Sequence, residues 1–144
     1  MKVEKYPIIE MVVKIASRCN LNCTYCYEYN KGDDSWRTAA KFMSPNTATL
    51  LGKRIQEHIE EFNLDSFDIG FHGGEPLLMK PHKIQEIIDN IQSQVSIKIS
   101  FTLQTNGVLI DDDYCELFKK NGISVSVSID GLKESHDKNR IDHK

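Results

Sequence analysis

Four short apolar runs recur along the chain, with helical patterns between them. Met11 to Ser17 reads as a first strand. Behind Ser44-Pro45, Leu51, Ile55, Ile59 and Phe62 recur at helical spacing, and a proline is tolerated in a helix's first turn. Ser66 to Phe71 predicts a second strand, and Ile84, Ile87, Ile88 and Ile91 predict the buried face of a second helix. Val95 to Leu103 predicts a third strand. Asp111 then starts a short helix carrying Leu117 and Phe118, Gly122 breaks it, and Ile123 to Ile129 predicts a fourth strand. Strands separated by helices need right-handed crossovers, which build a parallel sheet, so the class is α/β.

Alternation inside the strands sharpens this. Ile97, Ile99, Phe101 and Leu103 share one face, while Lys98, Ser100, Thr102 and Gln104 share the other. The fourth strand repeats the pattern, with Ile123, Val125, Val127 and Ile129 against Ser124, Ser126 and Ser128. A doubly wound sheet covered on both faces would be apolar on both. One polar face suits a curved sheet with helices outside and a polar, ligand-filled interior. An antiparallel sheet with a solvated face gives the same alternation, but the intervening helices argue against it.

In parallel α/β sheets ligands bind at the carboxyl ends of the strands. Every unusual motif here falls at such an end: the cysteine loop after the first strand, Gly73-Gly74-Glu75-Pro76 after the second, Gln104-Thr105-Asn106-Gly107 after the third and Ser128-Ile129-Asp130-Gly131 after the fourth. Glycines let backbone approach a ligand closely, and Glu75 can accept hydrogen bonds from a cationic amine. Each motif alone reads as an ordinary turn; beside three cysteines on one rim they read as a site.

Three of the four cysteines, Cys19, Cys23 and Cys26, lie within eight residues. Soft thiolates at this spacing suit an iron–sulfur cluster or zinc, and a cubane cluster held by three of them has one iron open for a further ligand. An open metal position is usually catalytic. The remaining composition excludes more than it indicates. At 144 residues the chain is one domain or a piece of one, and 40% hydrophobic content is ordinary for a globular core. A net charge of −3, with 18 basic and 21 acidic residues scattered along the chain, leaves no footprint for nucleic acid or an anionic membrane. No signal-peptide core opens the chain and no apolar run approaches the roughly 18 residues of a membrane span, so the expected location is cytoplasmic. In a reducing compartment clustered cysteines bind metal rather than pair as disulfides.

The residues resemble the radical S-adenosylmethionine (radical SAM) enzymes. Cys19, Cys23 and Cys26 have that family's Cys-x3-Cys-x2-Cys spacing with an aromatic residue, Tyr25, before the last cysteine, and Gly73-Gly74-Glu75-Pro76 looks like its glycine-rich motif. The resemblance runs from about Met11 to Arg140 and implies a partial (β/α) barrel with about four of the family's six β/α units. It also implies that Cys19, Cys23 and Cys26 ligate a 4Fe-4S cluster, that Tyr25, Gly74, Ser128 and Arg140 contact S-adenosylmethionine, and that Gly73 and Glu75 lie beside its amino group. The implied activity is generation of a 5′-deoxyadenosyl radical that takes hydrogen from a peptide or protein side chain, with electrons from a donor such as flavodoxin or ferredoxin.

Within the family the blocks Phe71 to Leu78, Gln104 to Gly107, Ser128 to Gly131 and His136 to Arg140 look most like the subgroup with a C-terminal auxiliary-cluster (SPASM) domain, which includes sulfatase-maturating enzymes and peptide maturases. His72 stands where sulfatase-maturating relatives often have Gln, and Tyr29 to Arg37 looks more like cyclophane-forming peptide maturases. Residues 1–144 are therefore expected to be the N-terminal portion of a radical SAM core, without the auxiliary domain and with an apolar open edge at the fourth strand. Sulfatase maturation is the alternative within the class; a zinc-binding structural module or an inactive truncated remnant are alternatives outside it. Cys115, beside Leu117 and Phe118, is expected to be a buried structural thiol. Asp111, Asp112 and Asp113 read as a helix start rather than a calcium site, and His58 and His82 as surface or capping residues. Trp36 either contacts substrate or packs over the cluster loop, and His136 and Asp137 are expected to shape a loop that positions Arg140.

Overall fold

The computed structural model describes residues 5–143; the first four residues of the stretch read above for a signal peptide, and Lys144, lie outside them. Four strands, Glu10–Ala16 (β1), Phe67–Gly73 (β2), Ile99–Thr105 (β3) and Ser124–Val127 (β4), alternate with four helices, Pro45–Phe62 (α1), Pro81–Gln92 (α2), Asp112–Asn121 (α3) and Lys133–Asn139 (α4). Among the described residues these four strands pair in parallel, in the order β1-β2-β3-β4. This is the expected α/β arrangement, with each strand returned to its neighbour's side by a helix, as in part of a β/α barrel.

The period-2 pattern divides the sheet's faces as predicted. Val13, Ile15, Phe67, Ile69, Phe71, Ile99, Phe101 and Leu103 are buried in one core with Ile55 and Ile59 of α1, Ile84, Ile87, Ile88 and Ile91 of α2, and Tyr114 and Leu117 of α3. The opposite face carries Lys14 level with His72, and Gly70 level with Thr102, which in turn pairs Ser124. Helix starts follow local chemistry. The Ser44 hydroxyl accepts from Thr47 N–H before Pro45, and the Asp111 carboxylate accepts from Tyr114 N–H at 3.1 Å, so Asp111 is a helix cap as read from the sequence.

Several boundaries differ. β3 starts at Ile99 rather than Val95, because its pairing with β2 begins at Phe67 opposite Ile99 and the Gln92 side chain stands in as the partner before that. Its amide donates to Ile97 O at 2.7 Å and its carbonyl accepts from Ile99 N–H at 3.0 Å. β2 runs on to Gly73, which pairs with Ala16. β4 ends at Val127; Ile123 is buried and Val125 packs against the core, but Val127 and Ile129 are 45% and 68% exposed. Among the described residues β4 pairs on one side only, giving the expected open apolar edge. The segment before Arg140 is helix α4, not a loop, and Cys115 is exposed, because it points away from the α3 face that Tyr114 and Leu117 bury. His82 is exposed, and His58 is half-buried, its Nε2 meeting the backbone of Ile8. No helix among the described residues is long and apolar enough to cross a membrane.

Candidate functional site

The loop after β1 brings all three clustered cysteines to the carboxyl end of the sheet, where chain from the far end of the sequence holds it. Asn22 N–H donates to Ile141 O at 2.7 Å, Thr24 N–H donates to Asn139 O at 2.9 Å, and Leu21 forms an antiparallel bridge with Asp142. Residues 139–143 thus form a strap across the cysteine loop. On the other side Arg18 organises the loop's base. Its guanidinium donates to the carbonyls of Ser17, Trp36, Arg37 and Ala39 and to the Ser17 hydroxyl. The guanidinium carbons of Arg18 and Arg37 lie 5.2 and 4.5 Å from the Trp36 ring centroid, and Trp36 meets Tyr29 edge-on. Trp36 thus packs against Arg18 and Tyr29 at the base of the cysteine loop, one of the two roles read for it.

The glycine pair at the end of β2 makes a close approach to this loop. Gly73 has φ 142°, and a Cβ on it would lie 2.1 Å from Ala16 O; one on Gly74 would lie 2.4 Å from Arg18 O and 1.9 Å from the Tyr29 hydroxyl. Gly74 N–H donates to Ala16 O at 3.0 Å and Glu75 N–H to Arg18 O at 2.8 Å. The absent side chains are therefore what lets β2 lie against the residues leading into Cys19.

Glu75 is 1% exposed, and its carboxylate joins two strand ends. Oε1 accepts from Leu77 N–H at 3.0 Å and from the Thr105 hydroxyl at 2.6 Å, while Oε2 accepts from Asn106 N–H at 2.8 Å. Asn106 continues the connection: its Nδ2 donates to Asn20 Oδ1 at 2.8 Å and approaches Cys19 Sγ at 3.8 Å. Leu21 N–H also reaches that sulfur, at 3.4 Å. Burial pushes the thiols of Cys19 and Cys23 above their ordinary pKa; the Leu21 amide opposes this at Cys19, and the Arg140 cation opposes it at Cys23.

The third part of the rim is polar. Gln104 Nε2 donates to the Ser128 hydroxyl at 2.7 Å. Asp130 accepts from the Tyr25 hydroxyl at 2.7 Å and pairs with Arg140 at 3.1 Å, the Arg140 guanidinium lying 5.7 Å from the Tyr25 ring centroid. Desolvation and the bond to Asp130 push the Tyr25 pKa up to about 12, and the Tyr25 hydroxyl, then Arg140, hold the Asp130 carboxyl below its ordinary value. These pieces enclose a cavity of about 270 Å³ lined by the three cysteines and Tyr25 on one side, Gly73, Gly74 and Glu75 on a second, and Gln104, Ser128 and Arg140 on a third.

The family model described as the Radical SAM superfamily matches residues 13–144. The chain belongs to this superfamily. It is 34% identical over 137 residues to a cysteine-type anaerobic sulfatase-maturating enzyme of Clostridium novyi, covering 93% of this chain and 36% of that protein. It is 30% identical over 144 residues to the radical SAM cyclopropyl synthase TigE of Paramaledivibacter caminithermalis, covering 92% of this chain and 29% of that protein. Among solved structures, native anSMEcpe with bound AdoMet and a peptide superposes with a TM-score of 0.75 at 28% identity, covering 94% of this chain and 35% of that one. The chain thus spans about a third of the length of the relatives it matches.

For a radical SAM chain, the sequence-predicted residues are brought together: Cys19, Cys23, Cys26, Tyr25, Gly73, Gly74, Glu75, Ser128 and Arg140 all line the one cavity. Cys115, exposed on α3, is not among its lining residues. Asn106 and Asp130 were quoted within motifs without a role, and their position at strand ends on the shared rim was the available signal. Arg18 gave no signal, since its acceptors are backbone carbonyls. Glu75 yields a direct test. Glu75→Gln keeps one acceptor oxygen and turns an amide donor toward donors, so we expect a loss of about 2–3 kcal/mol, read from denaturant midpoints. An unchanged midpoint would show that the buried carboxylate does not hold the junction.

Proposed function

We propose that this chain is the cofactor-binding part of a radical SAM enzyme that modifies a peptide or protein side chain. Cys19, Cys23 and Cys26 would hold a 4Fe-4S cluster, and Tyr25, Gly73, Gly74, Glu75, Ser128 and Arg140 would surround S-adenosylmethionine. The observation that carries this reading is the single cavity that all nine residues line. The site fits the groups. Three sulfurs from one loop are a soft donor set, and the Cys19 sulfur already receives a backbone amide and the Asn106 side chain, contacts that favour a ligated thiolate. Among the described residues no three His, Cys, Asp or Glu side chains converge closely enough to hold one metal ion. A multi-iron cluster does not require that convergence, because each iron takes its own sulfur.

When bound, the cluster and S-adenosylmethionine would together supply a 5′-deoxyadenosyl radical able to take hydrogen from an unreactive C–H bond. The chain's own part is positional. The Arg18 network and the strap at 139–143 hold the cysteine loop against β2, and the Glu75 junction holds the ends of β2 and β3 in register beneath it. On the polar face of the sheet His72 and Gln104 also line the cavity, where a substrate would approach, while Lys14 is paired with Glu28. The electron would come from a small carrier such as flavodoxin or ferredoxin. The 34% identity to a cysteine-type sulfatase-maturating enzyme favours, as a second reading, oxidation of a Cys or Ser side chain to formylglycine on a sulfatase peptide. Turnover of Cys- and Ser-containing sulfatase peptides separates that reading from other peptide modification.

The test is anaerobic reconstitution of the chain with iron and sulfide, metal and acid-labile sulfide counts, and electron paramagnetic resonance of the reduced protein with and without S-adenosylmethionine. We expect iron and sulfide in equal amounts and a signal that shifts on adding the cofactor. Zinc without acid-labile sulfide would overturn the reading in favour of a structural zinc module.

A further inference from the structure

We propose that Asp130 is a positioning residue for the S-adenosylmethionine site, holding the Tyr25 ring and the Arg140 guanidinium in one arrangement beside the cysteine loop. The inference rests on the function proposed above and assigns a role to a residue outside the set that reading names.

The geometry of the carboxylate supports it. Its two oxygens are divided between partners from different parts of the chain: Oδ2 accepts from the Tyr25 hydroxyl at 2.7 Å, and Oδ1 accepts from Arg140 Nε at 3.1 Å and forms an ion pair with Nη2 at the same distance. Tyr25 belongs to the cysteine loop, Asp130 follows β4, and Arg140 caps α4, so this one side chain ties the end of β4 to two segments that the strap already joins to each other. Because Nε and Nη2 form one edge of the guanidinium, the ion pair sets the plane of the fork and directs Nη1 elsewhere, suited to an incoming carboxylate. The side chains of Arg140 and Asp130 are only 13% and 20% exposed, so the pair is shielded from solvent and its loss would leave a poorly solvated cation. Arg140 also lies within the strap at 139–143 that crosses the cysteine loop, so an error in its placement reaches the proposed metal ligands and the cofactor rim together.

An amide in place of the carboxylate cannot accept from both partners and carries no charge. In Asp130→Asn the one oxygen remains to accept from Arg140, the NH2 group can only donate to the Tyr25 oxygen and so reverses that bond, and the shielded Arg140 cation loses its counter-charge. The experiment titrates S-adenosylmethionine into reconstituted, reduced protein and follows the shift of the cluster's paramagnetic resonance signal, with iron and sulfide counted for each variant. The unaltered chain is read first, since failure to take up a cluster there counts against the proposed function and not against Asp130. For Asp130→Asn we expect iron and sulfide content to be kept while affinity for S-adenosylmethionine falls by about tenfold or more. Tyr25→Phe, which removes one bond and keeps the ion pair, is expected to lose roughly threefold, and Asp130→Glu, which keeps the charge, to recover part of the affinity. Unaltered affinity in Asp130→Asn would overturn the proposal. If Asp130→Asn fails to take up the cluster, Tyr25→Phe decides, and unaltered affinity there overturns it.

Discussion

Alanine at any one of Cys19, Cys23 or Cys26 is expected to abolish cluster uptake. Iron and acid-labile sulfide should fall to background after anaerobic reconstitution, with at least a hundredfold loss of S-adenosylmethionine cleavage. The three sulfurs line one cavity and come from one short loop, so no other cysteine is placed to substitute. A cluster held by three protein thiolates has no spare ligand, and the loss of one exposes a second iron to solvent. Cys115→Ala is the control. Its thiol is exposed on α3 and outside the cavity, so metal content and cleavage should match the parent chain. Equal losses at all four positions would point to general thiol damage, and retention of a full cluster in Cys23→Ala would remove the proposed ligand set.

Gly73→Ala is expected to be strongly destabilising. Its φ of 142° is a region that L side chains rarely adopt, and the added carbon would stand 2.1 Å from Ala16 O and 3.0 Å from Ala16 N. These are backbone atoms that cannot yield locally. Ala16 is paired with Gly73 in the sheet, and its carbonyl accepts from Gly74 N–H. Relief requires opening the β1–β2 ladder at the point where the cysteine loop departs. Strain of about 1–3 kcal/mol from the backbone, together with an overpacking cost of similar size, gives a loss of about 4 kcal/mol. For a chain of this size that lowers the melting midpoint by on the order of 10–20 °C. Gly131→Ala makes the comparison, since Gly131 also has positive φ, at 77°, but nothing lies within 4 Å of its added carbon. It should lose only about 1 kcal/mol. Similar losses at both positions would show that backbone conformation, not the contact with Ala16, accounts for the cost.

The legible parts of this protein were those written locally. Ser44-Pro45 and Asp111 marked helix starts because a capping oxygen acts on an amide two or three residues away. The period-2 pattern around Ile99, Phe101 and Leu103 marked the core face because successive strand residues point to opposite sides. Helix α4 was missed for the complementary reason. Lys133–Asn139 buries no residue, so no apolar period announced it. Cys115 was misjudged because two hydrophobic neighbours in sequence do not share its face of α3. The start of β3 depended on the side chain of Gln92, which supplies strand-like hydrogen bonds before the neighbouring strand is reached.

By itself the sequence determined the class of fold, the order of its elements and the chemistry available at each strand end: three thiols, a glycine pair, a carboxylate, a hydroxyl and an arginine. These depend on residue type and on spacings of a few residues, which act before any distant contact forms. Only the tertiary structure decided which groups share a surface. Asn106 reaches Cys19 across 87 positions and Tyr25 reaches Asp130 across 105. Contacts at such separations follow from strand register and from the packing of helices on one face of the sheet, because a parallel sheet gathers all its strand ends on the same rim whatever their distance along the chain.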